Sequence, residues 1–188
     1  EDGVFIDGRT VTLGNFWMGI YEVTQAEYES VMKNQTVEIA EEEYVLNSNP
    51  SKNTEQNLAT DEIQENRPVE NISWYDAVYY CNALSNKTGK KCAYKIEIEE
   101  IDRTGSITSA QVELDITANG YRLPYTAEWE YAEAITSLLQ KGAIIGAKNA
   151  NGETALFNAV KANNPEIIQL IIDGGAEISV RDNLGSIP

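Results

Sequence analysis

Histidine is absent from this sequence, and no other single feature removes as much chemistry. Without it the chain lacks the commonest general base and the commonest zinc ligand. A Ser-His-Asp or Cys-His pair cannot form within it. Cysteine is scarce too: Cys81 and Cys92 are the only two. Two thiols without histidine make a poor zinc site. Their spacing leaves open whether they form one bridge or remain ordinary thiols. Positive charge is also short, with 14 Lys and Arg against 30 Asp and Glu and a net charge of −16. A field of that sign repels a phosphate backbone and an anionic membrane surface, so neither nucleic acid nor membrane is an expected partner. No apolar run approaches the roughly 20 residues of a membrane span. No signal peptide is visible. The chain opens Glu1-Asp2-Gly3 without methionine, as in a mature or trimmed form, which leaves export open and the compartment unassigned. What remains is a globular composition, 42% hydrophobic and 23% charged over 188 residues, enough for one large domain or two small ones.

The clearest pattern present is a repeat. Gly142-Ala143 returns as Gly175-Ala176 and Gly152 returns as Gly185, a period of 33 residues. Ile145 returns as Ile178, Leu138-Leu139 as Ile171-Ile172, and Lys148 as Arg181. Between the two copies, Gly152-Glu153-Thr154 reads as a turn with Thr154 as the N-cap of a helix. Leu156, Ala159 and Val160 give that helix one apolar face. Asn163 is expected to end it, and Pro165 and Glu166 suit the first turn of the next. Ile167, Ile168, Leu170, Ile171 and Ile172 supply a broad apolar stripe, closed by Gly174-Gly175.

Gly152-Glu153-Thr154-Ala155-Leu156-Phe157-Asn158-Ala159 resembles the ankyrin repeat, with alanine for the family's proline at 155 and phenylalanine for its histidine at 157. The resemblance implies an all-α repeat segment that binds another protein. About one and a half repeats are present over residues 134–188, fewer than the three or so that normally stand alone. The binding surface such a segment would use is the turn tips and the first-helix face. The candidates there are Lys148, Asn149, Asn151, Glu153, Phe157, Asn158 and Lys161.

The N-terminal 133 residues have a different texture. Phe16 to Tyr21 reads as a short apolar strand. Thr24 with Glu27 makes a capping box for a helix burying Tyr28, Val31 and Met32. Residues 34–67 are polar and acidic, with the breakers Asn49-Pro50-Ser51 and Arg67-Pro68, and read as a long surface loop. Within it Glu41-Glu42-Glu43 reads as a solvated acidic run rather than a cation site. A second helix starts at Ser73, with Trp74, Ala77, Val78, Cys81 and Leu84 as its expected buried face. Residues 93–99 alternate as a strand, and residues 106–116 are its expected hairpin partner. A third helix carries Trp129 to Ala132. Glu128 and Glu130 are expected on its surface or paired with Arg122, not as an acid-base pair. Asn34, Asn71 and Asn86 stand in N-x-S/T tripeptides of the kind that often arise by chance.

Three blocks in this region share one resemblance. They are Tyr21-Glu22-Val23-Thr24-Gln25 with Tyr28; Arg67-Pro68-Val69-Glu70 with Ser73-Trp74-Tyr75-Asp76-Ala77 and Tyr80-Cys81-Asn82; and Gly120-Tyr121-Arg122-Leu123-Pro124 with Ala127 to Ala132. In order and wording they resemble the formylglycine-generating enzyme (sulfatase-modifying factor) family. That implies an α+β, C-type-lectin-like fold over residues 1–133, here partial. In that family the oxidising cysteines and calcium ligands follow the Arg-Leu-Pro block, and the likeness stops near Ala132. It therefore carries over no catalytic, cofactor or metal residue. The resulting expectation is a non-catalytic protein-binding module. The alternatives are a fragment of a copper-dependent oxidase acting on sulfatase cysteine, and a lectin-like display scaffold.

Overall fold

The structure, a computed structural model, describes residues 14, 16–19, 21–52, 58–140, 144–161 and 165–188. Helices and antiparallel hairpins are mixed in it. The chain divides into two compact units. One is Gly19–Leu123; the other holds Pro124–Pro188 with the described residues before Gly19.

In the first unit, α1 (Gln25–Met32) begins as its sequence dictates. Thr24 accepts the Glu27 N–H, Glu27 accepts the Thr24 N–H, and Tyr28, Val31 and Met32 are buried. The segment before α1 is clasped by the second motif block. Val69 N–H donates to Val23 O (2.9 Å) and Gln25 N–H to Arg67 O (2.8 Å). Helix α2 (Trp74–Lys87) carries a second capping box, Ser73 with Asp76. It lies against α1, with the Tyr28 and Tyr80 rings stacked at 5.3 Å. Asp76 is buried but fully engaged. Besides its cap it accepts the Ile107 N–H (2.9 Å) and the Ser106 hydroxyl, tying the second hairpin to α2.

That hairpin is β3 (Tyr94–Ile101) with β4 (Ile107–Leu114), antiparallel, its register shifted between Ile98 and Ile101. Its inner residues Ile96 and Ile98 pack on α2 while Lys95, Glu97 and Glu99 face out. Both strands fall where alternation places them.

Three expectations for this unit are corrected. Residues 34–67 are not all loop: β1 (Thr36–Ile39) and β2 (Glu42–Val45) form a hairpin, followed by a 3-10 turn at Gln64–Asn66. The hairpin turns through Ala40 and Glu41, both with positive φ (51° and 69°). That is the geometry of a type I′ turn, built without the Asn-Gly pair that usually announces it. Glu42 and Glu43 are therefore strand residues with exposed side chains. Phe16 to Tyr21 forms no strand over its described residues. Among the described residues no strand pairs with it, and a strand without a partner does not persist. Trp74 is 55% exposed, at the first turn of α2, where it meets Tyr75 edge-on. Val78 and Cys81 are buried as expected and Ala77 and Leu84 half-buried, while Asp76, Tyr80, Ala83 and Ser85 complete the buried face of α2.

The second unit holds α3 (Thr126–Gln140), α4 (Ala155–Lys161) and α5 (Pro165–Asp173). Helix α3 keeps half a capping box: Glu128, buried rather than on the surface, accepts the Tyr125 N–H at 2.8 Å. Leu156, Ala159 and Ile171 form a small core, with Ile145, Ile167 and Ile168 packed on it. Phe157 is buried and Val160 exposed, so the buried stripe of α4 is turned by about one residue from the expected one. Helix α5 ends at Gly174-Gly175, where Gly175 takes φ +92° and Ala176 N–H bonds Ile171 O (3.0 Å). The expected stop at Asn163 lies outside the described residues.

Candidate functional site

The seven residues proposed for binding lie on the loop before α4 and on α4 itself. Lys148, Asn149, Asn151, Asn158 and Lys161 are exposed, whereas Glu153 and Phe157 are buried. Four of the seven build the loop. Asn149 Oδ1 accepts the N–H groups of Asn151 (2.9 Å) and Glu153 (3.0 Å), and its amide donates to Glu153 Oε2 (3.0 Å). Lys161 pairs with Glu153 across α4, and that pairing first, then Asn149, holds the Glu153 carboxyl below its usual range.

The two copies of the loop are laced together. Lys148 Nζ donates to Arg181 O (2.9 Å). Asn183 donates from its backbone to Asn151 O (3.0 Å) and from its side chain to Ala150 O (3.0 Å). Residue pairs about one repeat period apart thus become neighbours. Gly152 has to be glycine for this: at φ +77° an added Cβ would lie 2.4 Å from Asn183 Oδ1. Asn158 is exposed on this surface, and so is Asn151, whose side chain also bonds the Glu153 carboxylate.

Thr154 stands at the N-cap position of α4, but its hydroxyl caps nothing. The oxygen is buried, the residue 3% exposed, and no partner reaches it. The neighbour one helical turn on is Phe157, whose side chain offers no polar atom.

The motif blocks of the first unit turn out to be architectural. Gly120 packs so tightly against α2 and the loop after it that a Cβ there would sit 2.7 Å from Ser85 Oγ and 2.2 Å from Lys91 O. Next to it Tyr121 N–H donates to the fully buried Ser85 Oγ (2.8 Å), and Leu123 N–H donates to Tyr94 Oη (2.9 Å). The cysteines are both free. Burial pushes the Cys81 thiol up to about 11, so it stays protonated and unreactive near neutrality. Cys92 is partly exposed and donates to Asn86 Oδ1 (3.2 Å). Among the described residues no group of three His, Cys, Asp or Glu side chains is placed to hold a metal ion. None of their helices is long and apolar enough to cross a membrane.

Sequence reasoning missed one concave feature. A cavity of about 510 Å³ opens between β1, β3 and α2, lined by Gln35, Glu38, Tyr79, Ala83, Asn86 and Ile98 among others. Tyr79 Oη donates to Gln35 Oε1 (3.3 Å) at one wall. No motif marks it, because β1 was not legible as a strand.

Comparison with known proteins finds both families, and the first match runs past Ala132, where the likeness was expected to stop, into the ankyrin repeat. The model of the sulfatase-modifying factor enzyme 1-like domain matches residues 7–165, and that of the ankyrin repeat matches residues 151–183. The chaperone protein LppX of Paenibacillus barcinonensis is 36% identical over 145 residues, 75% of this chain and 44% of that protein. The chain therefore spans less than half the length of that curated relative. Among solved structures, Treponema denticola variable protein 1 is 31% identical with a TM-score of 0.41, over 59% of this chain and 39% of that one. With its motif blocks in place and most of its length matched, the chain belongs to the sulfatase-modifying factor enzyme 1-like domain family and carries an ankyrin repeat at its C-terminal end.

Proposed function

We propose that this chain is a non-catalytic protein-binding module. In this reading residues 1–133 are a scaffold and residues 134–188 supply the recognition surface. The observation that carries the reading is the lacing of the two turn copies by Lys148, Asn151 and Asn183. A loop fixed at both copies presents Asn151 and Asn158 at little entropic cost to a protein partner. Three further observations support it. The motif residues that define the family are spent on packing α2, and Cys81 is a buried, protonated thiol rather than a nucleophile. A relative carries the name of a chaperone protein.

The test has two arms. A photo-crosslinking side chain at Asn158 should give discrete protein adducts in the native host, while the same group at Glu113 on β4 gives none. In the second arm the copper-loaded chain is incubated with a cysteine-containing peptide. Copper-dependent oxidation of that cysteine would overturn the non-catalytic reading, and equal adducts from both positions would remove the recognition surface from α4.

A further inference from the structure

Asparagine followed by glycine occurs twice in the chain, at Asn119-Gly120 and at Asn151-Gly152. The pair has a chemistry of its own. A backbone nitrogen can attack the carboxamide carbon of the asparagine before it. Glycine, with no side chain, leaves that nitrogen the easiest to approach. Both asparagines are exposed. Sequence and exposure rank the two steps equal, but their hydrogen bonds do not.

At the second step the groups the reaction needs are engaged elsewhere. Gly152 N–H donates to Asn149 O (2.9 Å), so the attacking nitrogen is tied by its own proton into the turn. The Asn151 side chain bonds the Glu153 carboxylate. That carboxylate also opposes any new negative charge beside it.

The first step is arranged the other way. Gly120 N–H has no hydrogen-bond partner among the described residues. The Asn119 carboxamide is held by its oxygen instead: Oδ1 accepts Lys91 N–H at 2.9 Å. That bond draws electron density from Cγ. The same donor lies where charge develops when Cγ is attacked, as in an oxyanion hole. Lys91 positions the glycine too, since Lys91 O lies so close to Gly120 that no Cβ fits between them. One residue thus fixes both the carbonyl under attack and the residue that carries the nucleophile.

We propose that Asn119 is a self-modifying site, at which the folded chain converts asparagine to aspartate and isoaspartate with water as co-reactant. Gly120 N gives its proton to solvent hydroxide and bonds Asn119 Cγ. The carbonyl electron pair moves onto Oδ1, where Lys91 N–H holds it, and returns as the Cγ–Nδ2 bond breaks. Nδ2 takes a proton from water and leaves as ammonia. Water then opens the cyclic imide. Cleavage between Cγ and the nitrogen gives aspartate, and cleavage at the main-chain carbonyl gives isoaspartate. Aspartate keeps an oxygen for Lys91 N–H. Isoaspartate routes the backbone through the side chain and lengthens it. Gly120 is then pushed from its fit against Lys91, and the bond from Tyr121 N–H to Ser85 Oγ (2.8 Å) goes with it. The modification is a slow, one-way release of the third motif block from α2.

The test ages the full chain at mildly alkaline pH, natively and in urea. Peptides are mapped by mass spectrometry and the ammonia released is measured. In urea, where only sequence is left to act, the two steps should react within about twofold of each other. In the native chain Asn119 should outpace Asn151 by about tenfold or more. The isoaspartyl form, separated by chromatography, should exchange its α2 amides about tenfold faster than the unaged chain, while Asn119→Asp stays within about twofold. A native Asn151 that reacts as fast as Asn119 would overturn the proposal. So would a native Asn119 that stays intact while the chain in urea is converted. Unchanged α2 protection in the isoaspartyl form would overturn the release.

Discussion

Replacing Gly120 with alanine tests the central feature of the first unit, the docking of the third motif block onto α2. Gly120 has no special backbone angle to lose, so its requirement is spatial. The added Cβ would lie 2.2 Å from Lys91 O and 2.7 Å from Ser85 Oγ, where ordinary contacts run from 3.4 to 4 Å. The first is backbone and cannot swing aside. Residues 120–121 must retreat by about 1 Å, and the bond from Tyr121 N–H to the buried Ser85 Oγ breaks with them. Overpacking of this kind costs about 1–3 kcal/mol, and the lost bond adds about 1 kcal/mol. Gly120→Ala should therefore remove about 3 kcal/mol, a large part of a domain's stability. Ser85→Ala should cost about 1–3 kcal/mol alone, by stranding the Tyr121 N–H. The pair should fall short of additivity by about 1 kcal/mol, because both break the same bond while Lys91 O still blocks the Cβ. Gly89→Ala is the control. Its φ is +71° but nothing lies within 4 Å, so it should cost only about 1 kcal/mol of backbone strain. Native-state hydrogen exchange of the α2 and β3 amides reads all four variants on the unit concerned. A Gly120→Ala effect below about 0.5 kcal/mol, or one no larger than that of Gly89→Ala, would refute the packing argument.

Other consequences follow from single groups. Thr154→Val exchanges a buried, unpartnered hydroxyl for a methyl of like size, so α4 and α5 should gain about 1 kcal/mol in amide protection; a loss of that size would mean the hydroxyl caps α4 after all. Cys92 should react with a thiol reagent in the native state at neutral pH while Cys81 stays silent until the chain is unfolded, and mass spectrometry of the labelled sites would expose the reverse order. Arg67, by its hydrogen bonds, lowers the Glu62 carboxyl from 4.5 to about 2. The depressed value means that the pair's contribution is complete above about pH 4.5 and fades as pH falls towards 2. In Glu62→Gln that part of the acid dependence should disappear, and an unchanged stability profile between those limits would remove the ion pair from the account.

The elements legible in the sequence share one property: their signal is local. Thr24-Gln25-Ala26-Glu27 and Ser73-Trp74-Tyr75-Asp76 each hold cap and counter-cap within four residues, and both helices begin where they say. The alternation from Tyr94 likewise needs no distant information. The β1–β2 hairpin was invisible because its turn is Ala40-Glu41, two residues without the glycine that normally carries positive φ. Trp74 misled for a related reason. Its spacing fits the buried face of α2, but it sits in the first turn, where no neighbouring element covers it. In the proposed binding set, Phe157 and Glu153 look exposed by position in the repeat. Phe157 is nonetheless 3% exposed, because burial depends on what packs against α4, which a residue pattern within α4 does not describe.

The cavity shows the same limit from the functional side. Its walls come from Gln35 to Glu38, from α2 and from Ile96 to Ile98, three stretches with no shared motif. The stretches that do carry motifs are occupied: Thr24 and Arg67 in the clasp before α1, Asp76 in holding β4, Gly120 and Tyr121 in docking on Ser85. A residue committed to such a bond cannot vary without the fold paying about 1–3 kcal/mol, so it stays fixed whatever the domain binds. An exposed residue such as Glu38 is under no comparable constraint. Family membership is therefore written in the packed blocks. Under the proposed binding role, partner choice is to be sought at exposed, unmarked positions such as Asn158, where a substitution changes what is bound before it changes how the chain folds.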